Sequence, residues 1–183
     1  RPGQRLVGFG PLSRVLFDPQ GGAPGNLFVT QHDDSGFIDL HLVPSRATAS
    51  LFEGWAIAIA DARRVVVEAC RFSGMLRGGV LLSDSNDCRI TGNVFLDSVV
   101  RGDGSEHQAQ TGYDILVAGT SSRNVIQDNQ CLSGVGTAIG CQTVTAGKSQ
   151  WGNVIRGNMI AGYPCYGIMV YLSARTDSNQ GGA

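Results

Sequence analysis

One stretch of this chain, 97–114, gathers groups able to do acid–base chemistry: Asp97, Asp103, Glu106, His107 and Asp114, with Arg101 and Tyr113 among them. Cleaving a glycosidic bond by hydrolysis needs two carboxyl groups about 5–10 Å apart, one of them held protonated. Eliminating across a uronate, or epimerising one, needs instead a base and a cation that neutralises the acid, supplied by arginine, lysine or calcium. The stretch offers components for either. Glu106 and His107 are the first candidates for catalysis, followed by Asp103 and Asp97, while Arg101, Tyr113 and Asp114 are candidate ligand contacts. Trp151, in a second polar stretch at 143–151, has a flat apolar face of the kind that covers the C–H surface of a sugar; equally, it can cap an edge of the fold. A glycine-rich polar loop is also what any solvated excursion looks like, and both readings stay open at this level.

The elements that would hold these residues are written as a repeat. Three phrases, Asn86-Asp-Cys-Arg-Ile-Thr-Gly-Asn93, Arg123-Asn-Val-Ile-Gln-Asp-Asn129 and Gly152-Asn-Val-Ile-Arg-Gly-Asn158, each end on an asparagine three residues after an isoleucine. A fourth copy runs 63–70, with Val67 in the isoleucine slot and Cys70 in the asparagine slot. The spacings are 23, 36 and 29 residues. Apolar residues alternate with period two inside each unit, which excludes the helical repeats of similar length. An apolar run precedes each phrase, beginning at Ile57, Val80, Ile115, Ile139 and Ile168, and a third run follows it at Phe72, Phe95, Cys131 and Ile160. Three short strands per unit predict a single-stranded parallel β-helix, one all-β domain over 1–183, whose coils bury their inner faces only by stacking. The asparagine column belongs to that architecture: a polar residue at the same bend of successive coils hydrogen-bonds its neighbours along the stack.

Composition narrows the function classes. The net charge is −1 and charged residues are 16% of the 183, so no basic patch argues for nucleic acid. No run of about 18 apolar residues exists to span a membrane. The five cysteines include Cys131 and Cys141 at inward slots, where a free thiol serves as a small hydrophobe, and no Cys-x-x-Cys or Cys/His spacing predicts a metal site. The chain opens Arg1-Pro2 without a methionine, and the strand 166–172 is not followed by the second and third strands of its coil, so we expect an excerpt of a longer solenoid, open at both ends.

The alternation also sorts the faces. Outward on the first strands lie Ala58, Leu81, Leu116, Gly140 and Met169, then Ala60, Ser83, Ala118, Gln142 and Tyr171, with no carboxylate pair and no base. A parallel strand apolar on both faces is covered on both. Either another copy of the chain or further segments of the same one would do this. The second strands turn Glu68, Arg89, Thr91, Gln127 and Arg156 outward, a surface for water; were a partner polymer acidic, Arg89, Arg101 and Arg156 would be its contacts.

The opening Arg5-Leu-Val-Gly-Phe-Gly-Pro-Leu-Ser-Arg-Val-Leu-Phe-Asp18 resembles the start of the right-handed parallel β-helices of the pectate-lyase superfamily, phage tailspikes among them, where a Gly-x-Gly-x-x-Ser segment follows the first strand. The repeats are similar to the later coils of the same superfamily. The resemblance implies a right-handed coil, in keeping with the general rule for parallel crossovers. It implies a polysaccharide partner along the first sheet, a homotrimer through that sheet, and an extracellular or virion-surface setting. No cofactor is implied unless the chemistry is that of a lyase, which would bring calcium. Three functions follow in order: a polysaccharide depolymerase or binding module, a non-catalytic stalk or adhesin, and a uronate lyase or epimerase.

Overall fold

A computed structural model describes residues 3–10, 12–17, 25–44, 54–75, 78–98, 112–134, 136–143 and 149–172. Among these residues there is no helix. The strands run β1 (Arg5–Val7) and β2 (Arg14–Phe17); β3 (Phe28–Thr30), β4 (Gly36–Ile38) and β5 (His41–Pro44); β6 (Trp55–Ala60), β7 (Val66–Glu68) and β8 (Arg71–Ser73). They continue with β9 (Gly78–Ser83), β10 (Arg89–Thr91) and β11 (Val94–Ser98); β12 (Tyr113–Ala118), β13 (Val125–Gln127) and β14 (Gln130–Gly134); β15 (Thr137–Thr143), β16 (Val154–Arg156) and β17 (Met159–Ala161); and β18 (Tyr166–Leu172). Every third strand joins the same sheet, giving three six-stranded parallel sheets: β3-β6-β9-β12-β15-β18, β1-β4-β7-β10-β13-β16 and β2-β5-β8-β11-β14-β17. The molecule is a parallel β-helix with three strands per coil.

The predicted columns are the observed registers. Leu6, Phe37, Val67, Ile90, Ile126 and Ile155 stack in the second sheet. Val15, Leu42, Phe72, Phe95, Cys131 and Ile160 stack in the third. Side by side on adjacent coils, Phe72 and Phe95 lie parallel with centroids 4.6 Å apart. Each such fully buried side chain contributes about 1.5–3 kcal/mol relative to exposure. The coils at 28–44 and the strands before them were not among the repeats visible in sequence, because Leu40 stands where Asn93 stands and removes the phrase's marker.

Two asparagine ladders flank the second sheet. Asn93 Oδ1 accepts from Cys70 N, and Asn93 Nδ2 donates to Val67 O and to Asn129 Oδ1, at 2.9–3.0 Å. Asn129 repeats the pattern toward Ile90 O and Asn158 Oδ1. At the other end of the same strands Asn124 Oδ1 accepts from Cys88 N, and Asn124 Nδ2 donates to Ser85 O and Asn153 Oδ1. The amides of Asn93, Asn129 and Asn124 thus have both hydrogens and the oxygen used.

The bends need residues at positive φ. Asp34, Arg64, Asp87, Arg123 and Gly152 form one such column, and Asp39, Ala69, Gly92, Asp128 and Gly157 a second; apart from the two glycines on the last rung, each amide N–H donates to the next coil. Gly74, Asp97, Ser133 and Gly162 form a third, Asp61, Asp84 and Gly119 a fourth, and Gly3 and Gly10 complete the described set. Aspartate tolerates the left-handed region because its short carboxylate bonds locally, and seven aspartates sit there.

Candidate functional site

Two excursions meet one pair of strands. The first, between β11 and β12, holds Arg101, Asp103, Glu106 and His107, which lie outside the described residues, as does 144–148 of the second, between β15 and β16. β12 and β15 are parallel neighbours in the first sheet, so the first excursion enters that sheet at the start of β12 and the second leaves it at the end of β15, at opposite edges. Where the second one returns, Gln150 Nε2 donates to Gln142 O and Val117 O at 2.8 and 3.0 Å and anchors the chain to both strands.

Trp151 follows immediately and is 60% exposed. Its backbone N–H donates to Ser122 Oγ, and the Arg123 guanidinium lies over its ring, 4.9 Å from the centroid. Arg123 in turn makes a two-pronged pair with Asp87, both contacts at 2.6 Å. That pairing holds the Asp87 carboxyl below the usual carboxylate range. One coil row away Arg64 does the same for Asp34, at 2.7 and 2.9 Å. These charges are exposed, so the pairs order the corner more than they stabilise it.

On the outer face of the first sheet, aromatic rings lie over glycines of neighbouring strands. The Trp55 ring lies over Gly78, where an added Cβ would fall 2.0 Å from Cζ3, and Tyr113 lies over Gly140 in the same way at 2.7 Å. Trp55, Ala58, Tyr113 and Leu116 form a buried cluster with Leu81, Ala118 and Met169 against it. Ala58 is 3% and Leu116 9% exposed, while Val29 at 58% and Tyr171 at 50% stay open on the same sheet. Tyr113 Oη accepts a short hydrogen bond from Gln142 Nε2 across the two strands. At the register of Tyr113 on the next strand, Thr137 Oγ1 is buried with no hydrogen-bond partner.

Tyr113 and Asp114 point opposite ways. Strict alternation from the inward Ile115 would turn Asp114 to solvent, but at this corner two successive residues face in, as Ala56 with Ile57 and Ala138 with Ile139 also do. Asp114 is 1% exposed; Ser98 Oγ donates to its Oδ1 at 2.5 Å and Tyr163 Oη to its Oδ2. Burial pushes its carboxyl up to about 6, against the opposing pull of those donors and of Cys131. Asp97 by contrast faces out at a positive-φ bend and accepts from Ser133 Oγ at 2.8 Å. Elsewhere, Arg89 and Arg156 are exposed on the second sheet, Arg156 donating to Gln127 Oε1.

Among the described residues no three His, Cys, Asp or Glu side chains lie together as a metal site would require, and no helix is long and apolar enough to cross a membrane. No family model, curated protein or solved structure matches the chain. What defines it is the parallel β-helix, a scaffold that carries enzymes and inert stalks alike.

Proposed function

We propose that this chain is a carbohydrate-directed β-helix module, part of a protein that degrades or binds a polysaccharide. The observation that carries the reading is Trp151: an exposed indole on a rigid corner, backed by Arg123, where the second excursion returns to the coil. An aromatic ring with one open face, held by a rigid scaffold, suits the C–H face of a sugar. The likeness of residues 5–18 to the pectate-lyase superfamily points the same way, and with it come the extracellular or virion-surface setting and the homotrimer. In the depolymerase branch Glu106 and His107 do the chemistry, with Asp103 and Asp97 in support and Arg101 holding substrate. In the lyase branch calcium would take ligands from outside the described residues.

A second reading, the non-catalytic stalk, is favoured by the carboxylates. Seven described aspartates occupy positive-φ bends, an adequate reason for each to be there, and the others, Asp33, Glu68 and Asp114, are dispersed. Incubating the chain with bacterial capsular and plant acidic polysaccharides separates the readings. New reducing ends without absorbance of unsaturated uronate identify a hydrolase, and absorbance identifies a lyase. Retention on immobilised polysaccharide without cleavage, lost in Trp151→Ala, identifies a binding module. No cleavage and no retention on any polymer overturns the carbohydrate reading.

A further inference from the structure

We propose that Asp114 is a pH-responsive latch joining three consecutive coils at the corner between the third and first sheets. The slot it fills is occupied in four of the other coils by Ala56, Gly79, Ala138 and Gly167, residues with little or no side chain, and in the first by Leu27. Nothing in the backbone asks for an acid here, since Asp114 is not at a positive-φ bend. The carboxyl is enclosed instead by donors from the neighbouring coils. Ser98 closes β11 in the coil before, and Tyr163 lies between β17 and β18 in the coil after. Room for the phenol comes from Gly134, where any Cβ would fall 2.2 Å from the Tyr163 ring.

The groups facing Asp114 are the Ser98 hydroxyl, the Tyr163 phenol and the Cys131 thiol, and among the described residues no cation reaches it. Burial raises both the phenol and the thiol well above their usual ranges, and the carboxylate raises them further, so both keep their protons where the acid titrates. The acid's affinity for its proton is higher folded, near 6, than its ordinary 3.8. A folded state that binds the proton more tightly is most stable below about 4, loses that stability as pH rises toward 6, and is level above. The latch is therefore firm in acid and loosened at neutral pH.

Thermal unfolding of the chain between pH 4 and 8 tests this, comparing wild type with Asp114→Asn, which keeps the shape and removes the proton. The difference between the two midpoints is expected to change by roughly 5 °C between pH 4 and 6.5 and to stay constant above. Tyr163→Phe, which removes a donor to the carboxylate, is expected to move the transition to higher pH. Should Asp114→Asn not fold, the carboxyl carbon resonance of Asp114 in labelled wild-type protein decides: a midpoint near 6 supports the latch, and one near 4 overturns it. A midpoint difference independent of pH overturns it equally.

Discussion

The amide of Asn129 carries more of the fold than its size suggests. Its Oδ1 takes the N–H of Asn93, its Nδ2 serves Ile90 O and Asn158 Oδ1, and Asn93 and Asn129 are themselves buried. Asn129→Ala leaves these groups without partners, and each orphaned buried group costs about 1–3 kcal/mol. We expect a loss of about 2–4 kcal/mol in urea unfolding, larger than for Asn158→Ala, whose site is only half-buried. Ala69 offers the opposite case: it holds φ 53° with no side-chain bond to justify it. Ala69→Gly relieves left-handed strain at some cost in chain entropy, for a net gain of about 0.5–1 kcal/mol, read as a rise in the unfolding midpoint. The Asn93, Asn129, Asn158 column was legible because one phrase repeats. The second ladder stood in the same phrases as Asn124 and Asn153, one residue before each strand, yet its partners Cys88 and Val65 break the pattern. Asp114 was not legible as a buried acid, since alternation alone places it outside.

At the scale of the strand, the first sheet shows how glycine and aromatic residues are matched between coils. Gly78→Ala drives a methyl into the Trp55 ring, and overpacking of this kind costs about 1–3 kcal/mol; Gly140→Ala meets Tyr113 similarly. Chemical denaturation should rank both below wild type, with Gly92→Ala, whose Cβ meets nothing, penalised only by its φ of 63°. The inward thiols belong to the same packing. Burial pushes Cys70, Cys88 and Cys141 up to about 11 and Cys131 further, so at pH 8 they remain protonated. Ellman's reagent is expected to leave these four unreacted in the folded chain and to titrate them once it is unfolded. Strand order and register within the recognised repeats follow from period two and the repeat spacing. The double inward turn at Ala56 and Ile57 does not, because it is set by where the corner falls and not by the residues' polarity.

For the whole molecule, each coil touches only its neighbours, and stability is close to a sum of coils and the interfaces between them. The sequence revealed four of the six rungs in the second sheet; β1 and β4 escaped because Leu40 replaces the asparagine and Gly36 and Phe37 replace the usual Val-Ile pair. Function was legible only as chemistry in search of a place: the excursion at 99–111 announces itself by length, but a loop's sequence carries no register to fix its side chains. Glu106→Gln, assayed on a polysaccharide that the chain cleaves, is expected to abolish turnover while leaving the unfolding midpoint unchanged; retained turnover moves the chemistry to another residue.

The stack also has a direction. β1 lies at one end and β18 at the other, and the backbone hydrogen bonds between coils run along the axis that joins them. A force applied between the two ends would not shear all six rungs together but peel them in turn, each row breaking before the next is loaded. Since corresponding positions are 23, 36 and 29 residues apart, each event would release about 80–130 Å of chain, a length that reports which coil has gone.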